Sequence, residues 1–246
     1  MKIILVTSDL TYAPKNYNDV FEYVINNASQ HLAGVVIVKI SKISVFAKVP
    51  YLYFARCNNM ANTLIRNLAD TLSGRKRKFL TELKIPFVFV NSINDERTIS
   101  WLKSIKPDLI LNMRARCFYK EAVLQIPRLS CVNVHHGILP HQRGLFCDLY
   151  ALADDKTAGF TIHRMISGID QGSIFHTQEA DKNKNYIDYL AEVASKEKRA
   201  IVKFIENVVQ NNSLPESKPN QNQQSIFTTT PNFKKIKELQ HKGIIL

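Results

Sequence analysis

Glycine is scarce in this chain, with 8 among 246 residues, so each one left marks a place where backbone freedom or close approach matters. No run approaches the roughly 18–20 apolar residues that a membrane-spanning helix needs. The opening MKIILVTSDL sets one lysine before four apolar residues and then reaches Thr7, Ser8 and Asp9, which is too short for a secretory signal. Cys57, Cys117, Cys131 and Cys147 form no CxxC pair, so buried thiols in a reducing compartment are expected, not a disulfide frame. No GxSxG elbow is present, which removes serine hydrolase chemistry. The stretch VTSDLTYAPKNY after the first apolar run holds no glycine, which argues against a glycine-rich phosphate loop. No internal repeat is visible. These absences leave a cytoplasmic protein as the expectation.

What is present suits an ordinary folded chain: 45% apolar and 22% charged residues, enough for one sizeable domain with a short appendage. The formal net charge of +12 implies an anionic partner, such as a nucleic acid, a nucleotide-linked sugar, folate polyglutamate or an acidic membrane surface. The densest cluster, Arg75-Lys76-Arg77-Lys78 beside Gly74, is expected at a helix junction as a solvated patch, with a binding patch as the alternative.

Apolar runs at 2–6, 34–40, 85–90 and 108–113 read as buried strands, with helices at about 18–27, 58–73 and 95–104 between them. That alternation predicts an α/β fold with a doubly wound, mostly parallel sheet of Rossmann-like type. Beyond 130–135 the pattern changes. Residues 160–165 and 173–180 suit a less buried, antiparallel extension, followed by an amphipathic helix over about 186–210. The polar segment 211–224 reads as a surface excursion, and a last short helix over 233–241 as packing back. The expected organisation is a catalytic domain over 1–210 and a short C-terminal extension over 211–246. The aromatic stretch 43–54 is expected to be buried, with an exposed patch for a membrane or lipid-linked substrate as the alternative.

In open α/β sheets ligands bind beyond the carboxyl ends of the strands, and Asn133 and His135 stand there, on one face of their strand because side chains repeat every two residues. A histidine can act as acid or base near neutral pH, and a neighbouring amide can donate to a developing oxyanion. The glycine-flanked turn 168–172 offers Asp170 as the carboxylate that would hold the imidazole. Taken singly, Asn-x-His also suits a structural pair, and Asp170 suits a turn former.

Taken together, KPDLILNMRARCFYKEAVLQIPRLSCVNVHHGILPHQRG and GFTIHRMISGIDQGSIFHTQ, within residues 106–178, resemble the folate-dependent formyltransferases. This family includes glycinamide ribonucleotide formyltransferase, methionyl-tRNA formyltransferase and the sugar N-formyltransferases. The shared features are a Leu-x-x-Pro ahead of the Asn-x-His strand, a Leu-Pro-x-x-Arg-Gly loop, a Gly-x-Thr-x-His segment and the Asp170 turn. The resemblance implies Asn133, His135 and Asp170 as the catalytic trio and N10-formyltetrahydrofolate as formyl donor. It implies direct attack by an amine, with Asn133 and protonated His135 stabilising the oxyanion and Asp170 holding His135 and helping to remove the amine proton. It further places the donor against Met113, Arg114, Ala115, Arg116, Cys117 and Phe118 and against Ser167, Gly168 and Ile169. Gly137, Leu139, Pro140, Arg143 and Gly144 are expected to form the substrate loop. His136, Gly137 and Cys147-Asp148 depart from the family pattern on the acceptor side.

The missing glycine loop speaks against glycinamide ribonucleotide as acceptor. The 36 residues after Gln210 are too few for the C-terminal tRNA-binding barrel of the methionyl-tRNA enzymes, so tRNA is a minor reading. An anionic nucleotide- or lipid-linked amino sugar is the acceptor expected by elimination. Water, as in a formyltetrahydrofolate hydrolase, is a related possibility. A metal-dependent hydrolase using His135, His136 and His141 matches no standard zinc spacing, so no metal is expected. The remaining rival is a basic, non-enzymatic nucleic-acid-binding module.

Overall fold

Consecutive residues of the first strand enter two different cores, as a strand buried on both faces requires. In the computed structural model, which describes residues 1–221 and 226–246, Ile3 and Leu5 of β1 (Ile3–Ser8) lie in one apolar cluster and Ile4 and Val6 in another. The same split runs through β2 (Leu32–Val38), β3 (Phe87–Val90), β4 (Leu109–Met113) and β5 (Ser130–His135). These five strands run parallel in the order β3-β2-β1-β4-β5. After the short β6 (Gln142–Gly144), the antiparallel β7 (Ala158–Arg164) and β8 (Ile174–Ala180) complete the sheet beyond β5. The mostly parallel, doubly wound expectation therefore holds. β7 is more buried than its alternation suggests, whereas β8 at the sheet edge is buried only at its ends, Ile174 and Ala180.

α1 (Asn18–Ala28) covers the larger core with Val20, Phe21, Val24 and Ile25. α2 (Lys42–Phe46) and α3 (Lys48–Phe54) correct the burial expected of 43–54: Val45 and Val49 turn inward, but Ile43, Phe46 and Phe54 stand exposed. Each of these short helices buries a single residue and leaves its other face to solvent. α4 (Asn58–Ser73) ends at Gly74, which has φ 72° and starts α5 (Arg75–Glu82). The basic cluster is thus a helix junction, but it is not wholly solvated. Lys76 is buried with its ammonium donating to the Asn16 carbonyl at 2.8 Å, and burial pushes it down to about 8. That carbonyl belongs to the loop after β1, where Lys15, Asn16 and Tyr17 all hold left-handed φ without a glycine. The Asn67 side chain pins the loop by accepting from Asn16 N and donating to the carbonyls of Thr11 and Ala13.

The opposite face carries α6 (Glu96–Ile105), which buries Leu102. α7 (Glu121–Leu124) follows β4, and α8 (Cys147–Ala153) follows β6. The long α9 (Tyr186–Asn211) lies beside α1 in the larger core. The segment after it is less of an excursion than its polarity suggests. Lys218 exchanges two backbone hydrogen bonds with Ile174, and Asn220 is buried. Residues 222–224 of that segment lie outside the described residues. β9 (Ile226–Thr228) pairs with β6, and α10 (Phe233–His241) adds Ile236 and Leu239 to the core.

Candidate active site

The strand order turns back between β1 and β4, and crevices for ligands open at such a reversal beyond the carboxyl ends. Parallel register sets Asn112 of β4 beside Asn133 of β5, and antiparallel register sets Asn133 beside His163 and His135 beside Thr161 of β7. The strands themselves therefore assemble the polar groups. Sequence reasoning singled out Asn133 and His135 but missed Asn112 and His163. The alternation of Thr161 and His163 within Gly-x-Thr-x-His was the available signal.

A chain of hydrogen bonds fixes the orientation of Asn133. Its Oδ1 accepts from Asn112 Nδ2 at 2.7 Å, and its Nδ2 lies 3.2 Å from His163 Nε2. His163 Nδ1 faces the Arg164 carbonyl at 2.8 Å, which can only accept, so Nδ1 carries the proton and Nε2 receives Asn133. Burial, with the adjacent His135, pushes His163 down to about 4 against the pull of Asp170. It is neutral at ordinary pH, and the second N–H of Asn133 is left for a ligand.

His135 Nε2 donates to the Gln142 carbonyl at 2.8 Å, leaving Nδ1 toward Asp170 Oδ1 at 3.5 Å. The same oxygen is 3.7 Å from His163 Nε2, while Asp170 Oδ2 accepts from Gly144 N at 2.9 Å. Asp170 holds φ 52°, a left-handed conformation that costs on the order of 1 kcal/mol without a glycine. Its carbonyl and that of Gly172 accept from Asn220 Nδ2 at 2.9 and 2.8 Å, and Arg143 holds Asn220 in turn. The C-terminal segment thus props the turn that brings Asp170 to the histidine.

Asn133, His135 and Asp170 line one cavity of about 730 Å³, a size that suits a small-molecule site. Arg114, Ala115, Arg116, Cys117, Phe118, Gly168, Ile169 and Gly144 line it too. Other expected contacts do not. Met113 is fully buried in the core because β4 still continues there, and Ser167 stands exposed. Gly137, Leu139, Pro140 and Arg143 do not line the cavity. A Cβ on Gly137 would come within 2.6 Å of His135 Nε2, so glycine there makes room for the imidazole. Gly144, at φ 95°, has no room for a Cβ against the Thr228 carbonyl. Three of the cysteines are buried and all four are free. Burial pushes the Cys117, Cys131 and Cys147 thiols up to about 12.

A second polar cluster touches the same cavity. His136 Nε2 lies 3.0 Å from Glu197 Oε2, and its Nδ1 lies 2.9 Å from an Arg114 Nη and 3.5 Å from Asp148 Oδ2. Tyr17 donates to Glu197 at 2.5 Å and Tyr186 to Asp148 at 2.9 Å. Burial and the Arg114 charge act to lower His136, but Glu197 and Asp148 outweigh them and hold it above its ordinary value.

This sheet, with an amide, an imidazole and a carboxylate converging at its switch-point cleft, defines an α/β protein with a polar cluster facing a ligand-sized cavity. Residues 71–205, over half of the chain, match the model of the formyl transferase family, and the chain belongs to that family. It is 39% identical over 103 residues to the bifunctional polymyxin resistance protein ArnA of Wigglesworthia glossinidia brevipalpis, covering 42% of this chain and 16% of that protein. It is 28% identical over 128 residues to the methionyl-tRNA formyltransferase of Thermotoga maritima, covering 51% and 41%. The chain therefore spans less than two thirds of the length of these relatives. Its fold matches a sugar N-formyltransferase from Shewanella sp. FDAARGOS_354 with TM-score 0.60 and 16% identity, covering 93% of this chain and 76% of that one. It matches the phosphoribosylglycinamide formyltransferase of Anaplasma phagocytophilum with TM-score 0.61 and 14% identity, covering 94% and 99%. A third match, WlaRD, a sugar 3N-formyl transferase in the presence of dTDP and 5-N-formyl-THF, has TM-score 0.56 and 16% identity, covering 93% and 69%.

Proposed function

We propose that the chain transfers a formyl group from N10-formyltetrahydrofolate to a primary amine, with Asn133, His135 and Asp170 as the catalytic trio. The observation that carries this reading is the convergence of the three on one cavity, with Asn133 oriented by Asn112 and His163 so that one N–H is free to donate. That N–H and the Nδ1 side of His135 would stabilise the oxyanion formed when the amine attacks the formyl carbon. Asp170 would hold the imidazolium and receive the amine proton, while the imidazolium would give its Nδ1 proton to the donor's N10 as the C–N10 bond breaks, so that N10 leaves as an amine, and the proton on Asp170 restores the imidazolium. The donor would lie against the wall of Ala115, Phe118, Gly168 and Ile169, which supplies apolar surface beside backbone groups. Residues 1–210 would form the catalytic part, with 211–246 bracing it.

The acceptor in this reading is an amino sugar joined to a nucleotide or lipid carrier. Arg114, Arg116 and Lys48 on the cavity wall support an anionic acceptor, and the sugar N-formyltransferases among the fold neighbours support the sugar. Methionyl-tRNA is the second reading, favoured by the related sequences and the charge of +12. The test is release of tetrahydrofolate from N10-formyltetrahydrofolate in the presence of amino-sugar nucleotides, a lipid-linked amino sugar and methionyl-tRNA in turn. Turnover with a sugar amine is expected; turnover with methionyl-tRNA alone would overturn the acceptor.

A further inference from the structure

The two departures on the acceptor side, His136 and Asp148, meet in the structure, and Arg114 joins them. Arg114 follows β4 in the run assigned by resemblance to the donor, yet its guanidinium lies 5.8 Å from the Tyr17 ring centre and donates to His136 Nδ1. Among the described residues this is the one hydrogen bond its five N–H groups make, and its buried Nε has no partner. A guanidinium so poorly satisfied beside a cavity is poised for a forked acceptor such as a phosphate oxygen pair. The second orphan is Asp148 Oδ2. Asp148 is 1% exposed, Tyr186 occupies its Oδ1, and Oδ2 has no partner although His136 Nδ1 is 3.5 Å away.

Both orphans have one cause. While Arg114 donates to Nδ1, that nitrogen must present a lone pair and cannot donate to Asp148. The groups facing His136 are Arg114 after β4, Asp148 on α8 and Glu197 on α9, with Tyr17 and Tyr186 bonded to the two carboxylates. With neutral His136 the cluster of Arg114, Asp148 and Glu197 carries one net negative charge, and a proton on His136 cancels it.

Resting on the reading of an anionic acceptor, we propose that Arg114 binds the acceptor's phosphodiester or pyrophosphodiester. In doing so it releases His136 Nδ1, which takes up one proton from solvent, keeps it, and uses that N–H to hydrogen-bond Asp148 Oδ2. Acceptor binding is thereby coupled to proton uptake, and Arg114 belongs to the acceptor half of the cleft.

The probes are UDP-glucose and a geranyl phosphodiester of glucose, neither of which titrates near neutrality. Titration calorimetry at pH 8 in two buffers of different ionisation enthalpy reads affinity and protons together. Wild-type protein is expected to bind at least one of the probes and to take up about one proton per ligand; the tighter probe identifies the carrier. Arg114→Gln is expected to bind at least tenfold more weakly. His136→Asn is expected to bind within a few-fold of wild type with no uptake. If Arg114→Gln does not fold, Arg114→Lys keeps the charge without the fork, and the same tenfold loss is expected. The proposal is overturned if neither probe binds wild type, if the Arg114 variant binds as wild type does, or if uptake survives in His136→Asn. Loss of formyl-donor binding in Arg114→Gln also overturns it. Failure of formyl transfer to every amine would sink the functional reading and leave this binding result standing.

Discussion

Asn133 has its free N–H because both ends of its amide are otherwise engaged, with Asn112 on the oxygen and neutral His163 on the nitrogen. If that N–H stabilises the developing oxyanion, Asn133→Ala should lower kcat by about a hundred- to a thousand-fold, with the thermal midpoint little changed. A kcat within a few-fold of wild type would remove Asn133 from the centre. His163 gives a second prediction. Burial and His135 push it to about 4 from an ordinary 6.5. As pH falls from 6.5 toward 4 the unfolded chain therefore binds a proton that the folded chain refuses. The resulting stability is complete above 6.5 and is lost on the way to 4. In urea melts across this range, His163→Gln should flatten the acid slope by about one proton; an unchanged slope would contradict the assignment. At this scale Asn133 and His135 were legible in the sequence because strand alternation places them. Asn112 and His163 were less so: the Gly-x-Thr-x-His alternation marks the position of His163, but its role and that of Asn112 come from register across three strands.

At the scale of elements, the site depends on pieces that never touch the cavity. Gly137 makes room for the His135 ring, and a Cβ there would sit 2.6 Å from Nε2 and 3.0 Å from the Gln142 carbonyl that the ring binds. Gly137→Ala should displace the imidazole and lower kcat by about a hundred-fold while leaving secondary structure unchanged by circular dichroism. The segment after α9 acts at longer range. Asn220→Ala removes the two hydrogen bonds that Asn220 makes to the Asp170 turn, a loss of about 1–2 kcal/mol. It should lower the melting midpoint by roughly 2–8 °C and reduce kcat more than it raises KM. Wild-type kinetics would show that the turn stands alone. The parallel strands were readable as continuous apolar runs. The bracing role of 211–221 was hidden, because a polar side chain that satisfies buried carbonyls looks in sequence like a solvated one.

For the whole molecule, the doubly wound order puts the cleft between β1 and β4 and brings β7 in from the far edge, so one cavity gathers side chains separated by more than half the chain. The basic character seen in composition reaches the cavity as Arg114, Arg116 and Lys48, while Lys76, in the densest basic run, is spent inside the fold. The net charge alone therefore does not locate a binding site. The central claim is formyl transfer at the Asn133, His135 and Asp170 cluster. The most direct measurement is single-turnover release of tetrahydrofolate from N10-formyltetrahydrofolate by wild type and by His135→Asn, with an amino-sugar nucleotide present and absent. The account predicts release that requires both the amine and His135, in a variant that still binds the donor. Equal release by the two proteins would contradict it.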